Sequence, residues 1–171
     1  TPGVNVAGYL QAELGIGEAG RALVGALAEA GIDHATIDYD RTLSRRQHVF
    51  APRGDGRAPF DINVVCVNAD ATPGFARDVG PTFFDGRHTA GYWFWELERF
   101  PPSLHGAFDH VDEVWTATRF VERAVAAAGV RPVHRVPLPV GVGPIDPRFD
   151  RRHFGLPDTF VFLFAFDFLS V

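Results

Sequence analysis

The feature that most constrains this chain is a repeated unit in which an apolar strand stops at polar residues that lead into a helix. Residues 91–101 (GYWFWELERFP) contain this unit, and residues 112–121 (DEVWTATRFV) repeat it. Strands that alternate with helices at this spacing build a parallel sheet with helices on both faces. Such sheets bind ligands where strand ends face helix starts, so the pattern predicts that Trp95 and Glu96 reach the rim of a cleft.

The rest of the chain extends this unit into an α/β fold with a doubly wound, mostly parallel, Rossmann-like sheet. Apolar periodicity predicts strands at residues 4–10, 34–37, 62–67, 88–95, 114–116 and 134–136, and helices at residues 18–30, 73–78, 101–108 and 119–128. Thr118 is predicted to cap the last helix. Residues 41–59 have no clear period and are predicted to form a long exposed loop.

Composition divides the chain into three parts. Residues 1–140 hold the alternating strands and helices, whereas residues 141–158 are rich in glycine and proline and are predicted to be a linker. Residues 159–171 contain the run FVFLFAF, which is apolar on both faces and suits the middle of a covered sheet. We therefore predict that this segment is a strand that needs neighbours on both edges and cover on both faces. It should pair with its equivalent in another copy, making a homodimer, or fold back on its own domain.

Charge and composition exclude several functions. The 171 residues carry a net charge of -5, which argues against nucleic acid binding because phosphate neutralisation needs a basic excess. The seven histidines show no ligand spacing, so no metal is expected. Cys66 lies in an apolar run and is predicted to be a buried hydrophobe. No apolar run is long enough to cross a bilayer, and the expected location is the cytoplasm.

The glycine loop Gly15-x-Gly17-x-x-Gly20 is open to three interpretations. It follows a strand, opens a helix and precedes Asp38 at the next strand end, as in the dinucleotide site of an NAD(P)-dependent oxidoreductase. Against this, residues 11–14 separate the strand from the first glycine, whereas that site requires the turn to follow at once. The loop could instead hold a phosphate or a sugar on its free amides, or it could be only a tight turn.

Four segments together resemble the N-terminal half of GT-B-type glycosyltransferases, in particular the retaining family 4 (glycosyl transferase group 1). They are GIGEAGR at residues 15–21, GYWFWELERFP at 91–101, DEVWTATRFV at 112–121 and VPLPV at 136–140. The resemblance implies that this chain is the acceptor-side domain of two Rossmann-like domains that flank a cleft, and that residues 159–171 are the first strand of the second, donor-binding domain. It also implies retaining transfer of a sugar from a nucleotide-sugar donor to a hydroxyl of a sugar or lipid-linked acceptor, without a metal or a further cofactor.

The same resemblance locates most of the catalytic machinery in the second domain. The groups that stabilise the leaving diphosphate belong to that domain in the family, so this chain alone is expected to be inactive. No catalytic residue is assigned within it. What this half can contribute is substrate binding at the edge of its sheet.

The strand ends and the resemblance select eight candidate substrate-binding residues. They are Gly15, Ile16, Gly17, Glu18, Asn68, Asp70, Trp95 and Glu96. Amides and carboxylates can hydrogen bond to sugar hydroxyls, and an indole face is an apolar platform for a sugar ring. Asn68 and Asp70 also suit an ordinary turn. Trp95 could equally pack in the core, and Glu96 could cap the following helix.

Other partners and functions stay open. The arginine-bearing loop of residues 41–57 could contact an anionic acceptor or membrane headgroups, which would make the protein peripheral to a membrane. A solvated loop is the more frequent case. The sheet could also belong to a sugar-binding or regulatory module that has no catalytic activity.

Overall fold

In the computed structural model, which describes residues 1–141 and 143–164, six strands form a parallel sheet. They are β1 (Val4–Gly8), β2 (His34–Asp38), β3 (Ile62–Cys66), β4 (His88–Tyr92), β5 (Glu113–Thr116) and β6 (Val133–Arg135). Their order across the sheet is β2-β1-β3-β4-β5-β6, and every neighbouring pair is parallel. The predicted α/β class with a Rossmann-like parallel sheet is therefore confirmed.

The connections between the strands carry the helices. They are α1 (Gly15–Glu29), α2 (Thr72–Val79) and α3 (Arg119–Ala126), with 3₁₀ segments at Pro81–Phe83 and Pro102–His110. From β1 the chain moves one way across the sheet to β2, and from β3 it moves the other way to β6. Right-handed crossovers then put α1 on one face and the later helices on the other. The direction reverses between β1 and β3, which makes this the switch point where such sheets bind ligands.

The two faces of β3 show how sequence alternation builds the core. Val64 and Cys66 pack in a cluster with residues of α1, whereas Val65 and Val67 pack in a cluster with Phe75 of α2. A continuous apolar run thus supplies both faces of a covered strand, as the sequence predicts. Cys66 is fully buried, and burial raises the pKa of its thiol to about 12. The prediction of a buried, hydrophobic cysteine is confirmed.

Two buried asparagines join the central strands. Asn5 of β1 and Asn63 of β3 are register partners, and the Asn5 Nδ2 donates to Asn63 Oδ1 at 2.8 Å. Asn5 also bonds to the backbone of Phe60, and the Asn63 Nδ2 donates to the carbonyl of Phe83 and to Thr89 Oγ1. Because these buried amides have partners, they do not carry the cost of an unsatisfied polar group.

The long connection from β2 to β3, residues 39–61, has no helix or strand, in agreement with the predicted loop. Part of it lies along the outer edge of β2. The Thr36 N–H donates to the Arg53 carbonyl at 2.8 Å, and the Arg53 N–H donates to Thr36 Oγ1 at 2.7 Å. This contact covers part of an edge strand that would otherwise present unpaired backbone groups.

Three of the predicted boundaries are wrong by two or three residues. β1 ends at Gly8 rather than at residue 10, because the Leu10 N–H turns back to the Gly8 carbonyl at 2.8 Å. The first helix begins at Gly15 rather than at residue 18, since the Glu18 N–H already donates to the Leu14 carbonyl. β4 ends at Tyr92 rather than at residue 95. The predicted cap is confirmed, because Thr118 accepts a hydrogen bond from the Val121 N–H.

The chain divides into two compact units, residues 1–140 and residues 141–171. In the second unit, Asp146 pairs with Arg148, and these hydrogen bonds lower the pKa of the carboxyl. Residues 160–164 of the predicted final strand have no regular secondary structure, and Phe162 is 90% exposed. The rest of that predicted strand lies outside the described residues, so pairing through it stays a prediction. None of the described helices is long and apolar enough to cross a membrane.

Candidate functional site

The loops that follow β3 and β4 surround a small cavity at the carboxyl edge of the sheet. Its volume is about 100 Å³. The lining residues are Asn68, Ala69, Asp70, Phe94, Trp95, Glu96 and Leu104. Four of the eight residues selected from the sequence are in this set, from two segments that are distant in the chain. The fold therefore brings Asn68, Asp70, Trp95 and Glu96 together around one concave surface.

Asn68 holds the two loops of this cavity in place. Its side-chain Oδ1 accepts a hydrogen bond from the Phe94 N–H at 2.9 Å, and its carbonyl accepts from Ala71 and Thr72 at the start of α2. The Oδ1 is thus committed to the protein backbone. The Nδ2 donates no hydrogen bond within the described residues, so its N–H groups can be donated to a ligand.

Trp95 is shared between the core and the cavity. Its ring packs edge-on against Phe100 at 5.5 Å, and its Nε1 donates to the Arg99 carbonyl at 2.8 Å. Trp93 is fully buried in the same cluster, as strand alternation predicts for two residues on one face. Trp95 is only partly buried, which leaves some of its indole facing the cavity.

Glu96 is exposed and is not a helix cap. The 3₁₀ segment Pro102–His110 begins after Pro101 and receives no side-chain cap. Within the described residues the Glu96 carboxylate forms no hydrogen bond or ion pair. It can therefore accept hydrogen bonds from a ligand without first breaking a contact within the protein.

Asp70 of this cavity interacts electrostatically with Tyr9, in the loop after β1. Burial raises the pKa of Tyr9, and the negative charge of Asp70 raises it further. Tyr9 follows the end of β1 and Asp70 follows the end of β3, the two strands at the switch point. Tyr9 is a residue that sequence reasoning missed, because it lies beyond the end of β1 and no motif marks it.

The glycine loop lies at the same edge of the sheet but does not line the cavity. The backbone N–H groups of Gly15, Ile16 and Gly17 have no acceptor within the described residues, as expected for the first turn of a helix. At Gly17 a Cβ atom would come within 2.4 Å of the Tyr9 carbonyl, whereas at Gly15 it would meet nothing within 4 Å. Gly17 thus serves close packing of α1.

Arg21 fixes this loop from the next turn of α1. Its Nη1 donates to the carbonyls of Leu10 and Ala12, both at 3.0 Å, while its Nε and Nη2 donate to the Glu18 carboxylate. Glu18, a candidate ligand residue, is therefore already paired.

Asp38 is also engaged within the protein. Its Oδ1 accepts from the Gln11 N–H at 3.0 Å, and its Oδ2 pairs with Arg46. Six residues, 9–14, separate β1 from α1. A dinucleotide site requires a free carboxylate at this position and a turn directly after the strand. Neither condition is met here.

Four of the five arginines of the long loop pair with carboxylates of this chain. Arg41 contacts Asp78, Arg45 contacts Glu13, Arg46 contacts Asp38 and Arg57 contacts Asp55. These pairs are mostly exposed, and exposed pairs contribute about 0–1 kcal/mol each. They nonetheless occupy four guanidinium groups that could otherwise contact an anionic acceptor or a membrane.

Comparison with known proteins gives no family for this chain. No protein-family model matches it, and no curated protein matches it. Within the described residues, no group of three or more histidine, cysteine, aspartate or glutamate side chains could hold a metal ion. The functional conclusion therefore depends on the sheet and on the cavity at its carboxyl edge.

Proposed function

We propose that this chain is the acceptor-side domain of a GT-B-type retaining glycosyltransferase of family 4. The observation that carries the proposal is the clustering of Asn68, Asp70, Trp95 and Glu96 around one cavity at the carboxyl edge of the parallel sheet. This edge is where ligands bind in open α/β sheets. The full enzyme would move a sugar from a nucleotide donor to a hydroxyl acceptor with retention.

The chemistry of the cavity suits a carbohydrate. The carboxylates of Asp70 and Glu96 accept hydrogen bonds from hydroxyl groups, and the free Nδ2 of Asn68 donates them. The partly exposed indole of Trp95 offers an apolar surface to a sugar ring. The volume of about 100 Å³ is small for a complete ligand pocket. A small cavity of this kind is what we expect of one wall of a cleft whose other wall is a second domain.

The rival oxidoreductase is less well supported. It needs the Asp38 carboxylate for a ribose hydroxyl, and that carboxylate already accepts from Gln11 and pairs with Arg46. A non-catalytic sugar-binding module would use the same cavity as the transferase. It differs only in having no donor-binding domain to act with.

Titration of the ¹⁵N-labelled chain with methyl glycosides, a nucleotide sugar and NAD tests the proposal. Glycosides should shift the amides of residues 68–70 and 94–96, and Glu96→Gln should weaken that binding by about tenfold. Glu98→Gln is the matched control, since Glu98 is an exposed glutamate that does not line the cavity. Micromolar NAD binding that Asp38→Ala abolishes would overturn the proposal in favour of an oxidoreductase.

A further inference from the structure

A second and larger cavity opens at the opposite edge of the sheet. Its volume is about 450 Å³, within the range of small-molecule sites. It is bounded by Thr89 at the start of β4, by Asp112 just before β5 and by Arg131 just before β6. The amino ends of parallel strands lie at one edge, so this cavity is separate from the candidate sugar site. It does not depend on the proposed function.

The floor of this cavity is apolar. Ala76, Phe84 and Val111 contribute to it, and Val111 is buried. The Phe84 ring packs edge-on against Phe83 at 4.9 Å, and it lies 6.4 Å from the His110 ring on the cavity wall. Aromatic and aliphatic surface held in this way favours a flat apolar group on a ligand.

The wall carries charges of both signs that the protein leaves unpaired. Arg77 and Arg131 supply guanidinium groups, and Asp85 and Asp109 supply carboxylates. Within the described residues none of these four side chains forms an ion pair. All four are exposed, so their charges face solvent at the cavity.

Arg87 illustrates the contrast within the same cavity. Its guanidinium donates to the carbonyls of Ala58, Phe60, Thr82 and Phe83, so it serves to hold the surrounding loops. Asp112 is similarly used, because its Oδ2 accepts from the Thr89 N–H at 2.7 Å. Arg131 is used in part, because its Nε donates to the Phe108 carbonyl at 3.2 Å, which leaves its two Nη groups. The groups available to a ligand are therefore Arg77, the Nη groups of Arg131, Asp85 and Asp109.

We infer that this cavity binds a small zwitterion with an apolar or aromatic body, the class of the aromatic α-amino acids. A carboxylate would pair with the arginines, since guanidinium binds carboxylate through two parallel hydrogen bonds. An ammonium group would pair with the aspartates. The apolar body would lie on the floor formed by Phe84 and Val111. A ligand with one charge alone would leave half of the available groups unused.

The test uses three related probes and the 171-residue chain. L-Phenylalanine carries both charges, 3-phenylpropanoate lacks the ammonium and 2-phenylethylamine lacks the carboxylate. L-Phenylalanine should shift the amides of residues 84–85 and 109–111 in a ¹⁵N spectrum. The other two probes should bind more weakly by about tenfold or more.

Substitutions then test which charged side chains of the cavity bind the ligand. Arg77→Gln and Asp109→Asn should each weaken L-phenylalanine binding by about tenfold. Arg123→Gln and Asp33→Asn are matched controls, because both residues are exposed and neither lines the cavity. All four sites are on the surface, so thermal melts should stay unchanged. Equal binding of the three probes, or of the variants and the controls, would overturn the inference, as would no amide shift with any probe.

Discussion

The Phe94 N–H donates to the Asn68 Oδ1 at 2.9 Å, which ties the loop after β3 to the loop after β4. The cavity that collects Asp70, Trp95 and Glu96 lies between these loops. The same bond explains why β4 does not continue as a strand, since the Phe94 amide turns to a side chain. Asn68 is therefore a positioning residue for the candidate site, in addition to offering its Nδ2.

Asn68→Ala should destabilise the chain by about 1–3 kcal/mol, because the partly buried Phe94 N–H loses its acceptor. Asn68→Asp keeps an acceptor oxygen in the same place and should cost less. Urea unfolding followed by tryptophan fluorescence measures both. Equal losses of stability in the two variants would mean that the hydrogen bond to Phe94 does not account for the contribution of Asn68 to stability.

The two glycines in the first turn of α1 should respond unequally to alanine. Gly17→Ala puts a Cβ atom 2.4 Å from the Tyr9 carbonyl, which is backbone and cannot move without displacing the loop. We expect a loss of about 1–3 kcal/mol, as for overpacking in a core. Gly15→Ala meets nothing within 4 Å and should change stability by less than about 0.5 kcal/mol. Thermal unfolding of the pair checks this, and similar losses at both positions would contradict it.

The parallel sheet could be predicted because its signals are local. The apolar run Asn63–Val67 indicates a strand that is covered on both faces. Thr118, directly before an apolar-periodic segment, indicates the start of a helix. The predicted ends of the strands were less accurate. The end of β4 depends on the Phe94 bond to Asn68, which joins residues 26 positions apart. No periodicity within a short window can reveal such a contact.

The candidate site was predicted only in part, for the same reason. Strand ends in a parallel sheet meet at one edge, so Asp70 and Glu96 could be grouped from the sequence. The pairing of Glu18 with Arg21, and of Asp38 with Gln11 and Arg46, decides which carboxylates are free. The Glu18–Arg21 pair is local, since the two residues are three apart on α1. The contacts of Asp38 depend on how the loops fold over one another, and residue types alone do not specify them.

The isolated chain should not transfer sugar at an enzymatic rate. Under the proposed function, the donor and its leaving diphosphate are held by a second domain, and diphosphate stabilisation is the largest electrostatic task of the reaction. Incubation with radiolabelled nucleotide sugars and glycoside acceptors should yield no labelled product. Turnover near typical enzymatic rates, about 1–1,000 per second, would contradict this assignment of roles.

Alkaline pH should destabilise the chain through its buried tyrosines, and Tyr92 offers the clearest test. Burial, with a smaller contribution from Cys66, raises the pKa of Tyr92 from 10.0 to about 12. Between these values the unfolded chain loses the phenolic proton while the folded chain keeps it. The folded state then binds more protons, so stability falls as pH rises through this window.

Tyr92→Phe removes this titration and the hydrogen bond from Tyr92 to the Val136 carbonyl. At pH 7 the variant should be less stable by about 1 kcal/mol because of the lost hydrogen bond. By pH 12 the advantage of the tyrosine should have fallen by on the order of 2 kcal/mol, so the order of stability should reverse. Urea unfolding at several values between pH 8 and 12 measures the difference. A constant gap between the two proteins across that range would show that Tyr92 ionises as easily in the folded chain as in the unfolded one.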